Sequence, residues 1–326
     1  MDLSTTYMGL ELKNPIIVSS SRLTSDIRNI KKCADKGAGA IVLKSLFEEQ
    51  LLADLQKLME QDEQYFWFPE AVEFLNSHAR EQGLAEYLSL IREAKKETSV
   101  PIIASINCTT PNEWPKFAAK LEEAGADGLE LNIAIMPVDE GITSLEIESI
   151  YGEIVSEVKK YVSIPIAVKI GPFFTNVLGL VKKLEITGAD AVVIFNRFYR
   201  PDIDIDNVKV VRGDILSSPE EMTLSLRWVS LLAGKVSCDI AGNTGIHDVE
   251  SVIKQLLAGA AATQICSTLY KNGIKYIKTL ISDLEEWGDE HNYAALSQFQ
   301  GKLGRDESKS AAFERIQYMK KTLTEE

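Results

Sequence analysis

Eight short apolar runs, separated by amphipathic stretches along a 326-residue chain, predict an α/β protein, a (β/α)8 TIM barrel. Three observations carry that expectation. Gly39, Gly125, Gly188 and Gly259 are each followed by Ala and then by an apolar run, so a Gly-Ala unit recurs four times. A second kind of run, led in three of its four cases by Pro15, Pro101 or Pro165, interleaves with the first. The runs are continuous rather than alternating, the pattern of parallel strands covered by helices. An open dinucleotide-binding sheet would need GxGxxG after its first strand, and here that turn reads Ser19, Ser20, Ser21, Arg22.

Taken in order, strands are expected at 14–19, 39–44, 100–107, 125–132, 164–169, 188–196, 235–242 and 259–266. Each Gly-Ala strand follows a stretch with apolar residues at helical spacing, as from Trp114 to Glu123, and the glycine should take the left-handed turn that ends the helix. Long loop insertions are expected after strands 2 and 6. The first, 47–82, holds the aromatic run Tyr65, Phe66, Trp67, Phe68, Pro69; the second, 198–218, alternates in the manner of a hairpin excursion. Long connections in a compact barrel tend to be lids or interfaces. The whole chain, 1–326, reads as a single barrel domain with a helical tail from about 305.

Acidic residues outnumber basic ones 48 to 35, for a net charge of −13. That balance disfavours nucleic acid or an anionic membrane as a partner, since both call for a basic face. No apolar run approaches the roughly 18 residues that cross a bilayer, and the first residues do not form a signal peptide. Cys33, Cys108, Cys238 and Cys266 are scattered without a CxxC pair, so neither zinc nor a disulfide framework is expected. A cytoplasmic protein without a metal is the resulting expectation.

Barrel enzymes place their chemistry at the C-terminal ends of the strands. Those ends are Ser19 and Ser20, Lys44 and Ser45, Asn107 and Cys108, Asn132, Lys169, Asn196, Gly242 and Asn243, and Cys266 and Ser267. Turn chemistry explains the Asn and Ser, but not two lysines directly behind apolar runs. A lysine in a barrel mouth is costly unless it meets an anion or an electron-rich ligand. Amides at Asn107, Asn132 and Asn196 suit a heteroaromatic ring that alternates C=O and N–H groups. The sequence offers no acidic pair and no Ser/His pairing, and His78, His247 and His291 fall outside the strand ends. A bound cofactor is then the better chemist, and the turn Gly242, Asn243, Thr244, Gly245 with Cys266 and Ser267 lies where many barrels hold a phosphate. Two rival readings stay open: a cofactor-free lyase or aldolase with a Schiff base on Lys169, and a non-catalytic ligand-binding barrel.

These motifs resemble the dihydroorotate dehydrogenase family, FMN-binding barrels that include the pyrimidine-binding part of dihydropyrimidine dehydrogenase. Gly9 to Pro15 looks like the family's opening strand, and Leu43-Lys44-Ser45 like its first flavin-contacting lysine motif. The run ending in Leu131-Asn132 resembles the segment before its active-site loop, and Lys169 and Phe195-Asn196 match the next two strand ends. Asn107, Cys108, Asn112 and Trp114 are similar to the dihydropyrimidine dehydrogenase branch, and 298–304 to the family's C-terminal end. The resemblance implies FMN contacts from Ser19, Ser20, Lys44, Ser45, Asn132 and Lys169. It also implies phosphate contacts from Gly242, Asn243, Thr244, Gly245, Cys266 and Ser267. A small pyrimidine-like substrate would lie over the flavin, held by Asn107, Asn132, Asn196 and Arg197, with Lys44, Asn132 and Lys169 in the catalytic machinery. The long aromatic loop, of a kind through which barrels often dimerise, makes a homodimer the expected assembly. The family's Leu-Asn motif usually continues to a Cys or Ser base, whereas this chain runs Asn132-Ile-Ala-Ile135-Met-Pro137. An isoleucine cannot accept a proton, which leaves oxidation of dihydroorotate itself open and makes Cys108 the substitute base to examine.

Overall fold

The computed structural model describes residues 1–47, 69–107, 113–136, 138–198 and 200–304. Eight parallel strands close into one barrel: β1 (Ile16–Val18), β2 (Ala40–Val42), β3 (Ile102–Asn107), β4 (Gly128–Asn132), β5 (Ile166–Ile170), β6 (Ala191–Ile194), β7 (Asp239–Asn243) and β8 (Ala262–Ile265). Each strand pairs with the next, and β8 returns to β1. The helices are α1 (Ile27–Asp35), α2 (Pro69–Glu97), α3 (Glu113–Glu123), α4 (Ser144–Lys159), α5 (Val177–Thr187), α6 (Met222–Leu232), α7 (Val249–Ala258), α8 (Ser267–Asn272) and α9 (Tyr276–Glu290). All eight expected strands are present, and the fold is the (β/α)8 barrel that the recurring units predict.

The two faces of each strand explain the continuous apolar runs. Ile16, Ile41, Ile102, Leu129, Val168, Val192 and Ile265 face outward into the layer shared with the helices. Ile17, Ala40, Ile103, Ala167, Ala191, Ala241 and Ala262 face inward. The inner layer is rich in alanine, and the space this leaves is filled from below. An antiparallel hairpin, Thr5–Tyr7 with Leu10–Leu12, inserts Tyr7, Met8 and Leu12 into the barrel floor. Gly128 is part of that fit, because a Cβ there would lie 2.4 Å from Cε of Met8. The Gly9 to Pro15 segment is thus half of this plug, and the first barrel strand begins just after it.

The recurring Gly-Ala-Asp has a structural role. Asp127 accepts the backbone N–H of Ile102 at 2.7 Å and pairs with Lys95; Asp190 does the same for Ile166 at 2.8 Å and for Lys159. In both cases the residue capped is the one after the strand-leading proline of the preceding strand. Gly125, Gly188 and Gly259 take positive φ as expected, but in the first unit Gly37 does so, and Gly39 is instead held by its closeness to the Asn14 carbonyl.

The insertion after β2 gives way to helix earlier than expected: α2 begins at Pro69, so 69–82 is helix rather than loop. The Tyr65 to Phe68 run, Cys108, Asn112, Pro137 and the tail from about 305 lie outside the described residues. The insertion after β6 is a hairpin, Pro201–Asp204 with Lys209–Arg212. Among the described residues no helix is long and apolar enough to cross a membrane, and no cluster of three or more His, Cys, Asp or Glu could hold a metal.

Candidate active site

The inward side chains nearest the C-terminal mouth are polar, and most of them lead to Lys169. Its side chain is 6 % exposed, and Nζ donates to Gln264 Oε1 at 2.9 Å, Ser19 Oγ at 3.1 Å and Glu130 Oε1 at 3.4 Å. Ser19, from the end of β1, also donates to Gln264 Oε1, at 3.0 Å. Gln264 turns its Nε2 to Glu130 Oε2, 2.5 Å away. A buried ammonium is thus matched by a buried carboxylate and two neutral acceptors, which removes the usual objection to a charge in a barrel core.

Above this network lies a cleft of about 340 Å³, within the size range of ligand pockets. Ser19, Ser20, Lys169, Asn196, Arg197, Asn243, Thr244, Gly245, Cys266 and Ser267 line it, together with Phe198, Ile215, Ser217, Ile246 and Gln264. Most of the residues singled out in the sequence are therefore brought to one place. Asn132 sits beside them, almost fully buried, its Oδ1 accepting Nδ2 of Asn196 at 2.8 Å. Asn243 and Thr244 both donate to the Phe195 carbonyl, at 2.7 and 2.9 Å, which fixes the turn after β7 against the end of β6. Gly245 has φ of +79°, and a Cβ there would meet the Met222 nitrogen at 2.2 Å, so only glycine lets the turn lie on the start of α6. Gly242 is equally confined, by the Gln255 side chain, and faces the helix layer rather than the cleft.

Other predicted residues are held differently. Ser45 is buried and bonded to Ser20 and Ser105, its Oγ 2.6 Å from the Ser105 Oγ. Lys44 is half-buried at the end of β2, its backbone N–H donating to Thr24, and Asn107 ends β3 half-buried; neither lines this cleft. Arg197 reaches the cleft, but its guanidinium is engaged by Glu221 at 2.9 Å and by the Asp214 and Ile215 carbonyls, which ties down the base of the hairpin insertion. Burial pushes the Cys266 thiol up, against smaller opposing effects of Ser21 and Lys169, so it is no thiolate. Ile135 is half-buried and lines a separate apolar cavity of about 280 Å³ with Tyr151 and Phe174.

Sequence reasoning missed Glu130, Gln264, Ser217 and Phe198. A charge inside an otherwise apolar strand was the available signal for Glu130. Its pairing with Lys169, 39 residues on, and with Gln264, 134 residues on, emerges only when the barrel closes. His247 lies behind the cleft, Nε2 3.1 Å from Ser217 Oγ, and burial, reinforced by Lys271, pulls its titration below the usual histidine value. His291 is exposed and stacked on Trp287.

A closed parallel barrel with a buried lysine at its C-terminal mouth, facing a ligand-sized cleft, has the build of a (β/α)8 enzyme. A family model described as Dihydroorotate dehydrogenase matches residues 2–287, and the chain belongs to that family. Among its relatives, dihydroorotate dehydrogenase B (NAD(+)), catalytic subunit, of Thermoplasma volcanium is 30% identical over 314 residues, 92% of this chain and 98% of that one. The proteins of the same name from Thermoplasma acidophilum and Pyrococcus abyssi are each 28% identical, over 311 and 309 residues, again 92% of this chain and 98% of theirs. Membership makes the chain an oxidoreductase of an FMN-binding family acting on CH–CH groups.

Proposed function

We propose that the chain binds FMN in the cleft above Lys169 and oxidises or reduces a small dihydropyrimidine-like substrate there. The observation that carries this reading is the buried ammonium of Lys169 at the floor of a cleft rich in hydrogen-bonding groups, in a chain of this family. The donor set fits the cofactor. Lys169 and Ser19 would meet the electron-rich edge of the ring, and the turn of Asn243, Thr244 and Gly245 with Cys266 and Ser267 would take the phosphate end. When bound, FMN supplies hydride chemistry that no side chain here can perform.

What the chain itself does is hold and orient. Lys169 would hold positive charge at the ring's electron-rich edge, where it would stabilise the negative charge of the reduced cofactor, and the buried setting would strengthen that interaction. The linked amides of Asn132 and Asn196 present a donor and an acceptor in a fixed relation, suited to a pyrimidine edge. Lys44, Ser20, Ser45, Asn107 and Arg197 complete the proposed set around the mouth. Ile135 offers no proton acceptor and lines another cavity, so proton removal from dihydroorotate lacks its usual partner at that position. Cys108 stays the proposed alternative. A Schiff base on Lys169 is disfavoured by its pairing with Glu130, which keeps the amine engaged.

The test is anaerobic mixing of FMN-loaded protein with dihydroorotate, following loss of flavin absorbance. Absence of a positioned base predicts reduction slower by roughly 10²–10⁴ than in a relative that has one, with partial recovery in Ile135→Cys. Reduction as fast as in such a relative overturns the reading of Ile135. The relatives are named as catalytic subunits, which supports a chain that works in an assembly; a homodimer and a cytoplasmic location complete the proposal. Its mass in solution decides that.

A further inference from the structure

Glu130 lies beneath the proposed flavin site without reaching it. It is 1 % exposed and absent from the cleft lining, whereas its partners Lys169, Gln264 and Ser19 all line the cleft. Its two carboxylate oxygens are divided between them: Oε1 faces the Lys169 ammonium at 3.4 Å, and Oε2 accepts Nε2 of Gln264 at 2.5 Å. The second contact fixes the amide of Gln264, so that its Oε1 is the end turned to Lys169 and Ser19. A carboxamide in place of Glu130 would let that amide turn round and set N–H groups against the ammonium. From below, the barrel is closed by Tyr7, Met8 and Leu12. Among the described residues the buried Tyr7 hydroxyl has no hydrogen-bond partner, and its titration is raised well above the usual value, by burial first and then by the charge of Glu130. Lys169 is the cation paired with Glu130, and burial leaves the two side chains only 6 % and 1 % exposed.

We propose that Glu130 is a positioning residue for Lys169: it holds the ammonium in its three-acceptor seat and offsets part of the positive charge that Lys169 presents to the flavin. The inference rests on FMN occupying the cleft above Lys169. All three ammonium hydrogens have acceptors in the protein, and only the Ser19 and Gln264 acceptors lie at the cleft surface. A ligand that draws on Lys169 must do so against the pull of Glu130. Glu130 therefore lowers the reduction potential of the bound flavin.

The experiment is the midpoint potential of FMN-loaded wild type and Glu130→Gln, measured by dye-equilibrated reduction at saturating FMN. The variant should keep its flavin and favour the reduced form about tenfold more strongly, a rise of about 30 mV for a two-electron couple. In a Lys169→Met background the same exchange at 130 should change the potential much less, because the effect acts through the ammonium. Should Glu130→Gln not accumulate as folded protein, Glu130→Asp draws the carboxylate back by one methylene, and a smaller rise is expected. An unchanged potential in a flavin-loaded variant overturns the proposal, as does a rise of equal size without Lys169. Wild-type protein that takes up no FMN overturns the underlying reading of the cleft instead.

Discussion

Lys169→Met separates a buried ion pair at a known place. The substitution keeps most of the volume of the side chain but leaves Glu130 in a barrel core, 1 % exposed, with Gln264 as its remaining charge-stabilising neighbour. Removing one partner of a buried pair costs about 3–5 kcal/mol, because the other charge is stranded. Neutralising the stranded group should remove most of that cost, so Lys169→Met/Glu130→Gln should be markedly more stable than Lys169→Met at pH 7. Denaturant unfolding of flavin-free protein reads both, with flavin omitted so that its binding energy does not enter. A loss below about 1 kcal/mol in Lys169→Met, or a double variant no more stable than the single one, would refute a dry, mutually dependent pair of Lys169 and Glu130.

Three further outcomes test other parts of the structure. Gly245→Ala should destabilise the fold by at least about 2 kcal/mol, since alanine is strained at a φ of +79° and its Cβ would strike the backbone of Met222; thermal unfolding measures it. Asp190→Ala should lose about 1–3 kcal/mol by leaving the Ile166 N–H unpaired, with little of that from the half-exposed Lys159 pair, so Lys159→Ala alone should cost under about 1 kcal/mol. His247 is held below its ordinary value of 6.5, so the unfolded chain takes up its proton first; the stability contributed by keeping it neutral is complete above pH 6.5 and is lost as pH falls below that toward the folded value. Unfolding midpoints of wild type and His247→Gln, compared at pH 7.5 and pH 5.5, should therefore diverge at the higher pH and converge at the lower.

The barrel was legible because its signals are local. Gly188 and Gly259 end helices within the sequence windows that predict them, and the continuous apolar runs are what a strand covered on both faces requires. The lysines stood out for the same reason, a charge directly behind an apolar run. What stayed hidden depends on closure. Nothing near Glu130 in the sequence shows that β5 will bring Lys169, and β8 Gln264, to the same side of the barrel axis. The plug of Tyr7 and Met8 was invisible because the alanines that make room for it are spread over five strands. Arg197 was legible only in part: it lines the cleft, as a cation at a strand end suggests, but its pairing with Glu221, 24 residues on, emerges only in the fold.

The central claim is that one FMN occupies the cleft above Lys169. The most direct measurement is the mass and stoichiometry of the chromophore released from the purified protein after reconstitution, in wild type and in Lys169→Ala. The account predicts FMN at one per chain in the wild type, and weaker retention or slower reduction in the variant. FAD, no flavin at all, or a variant that binds and reduces FMN as well as the wild type would contradict it.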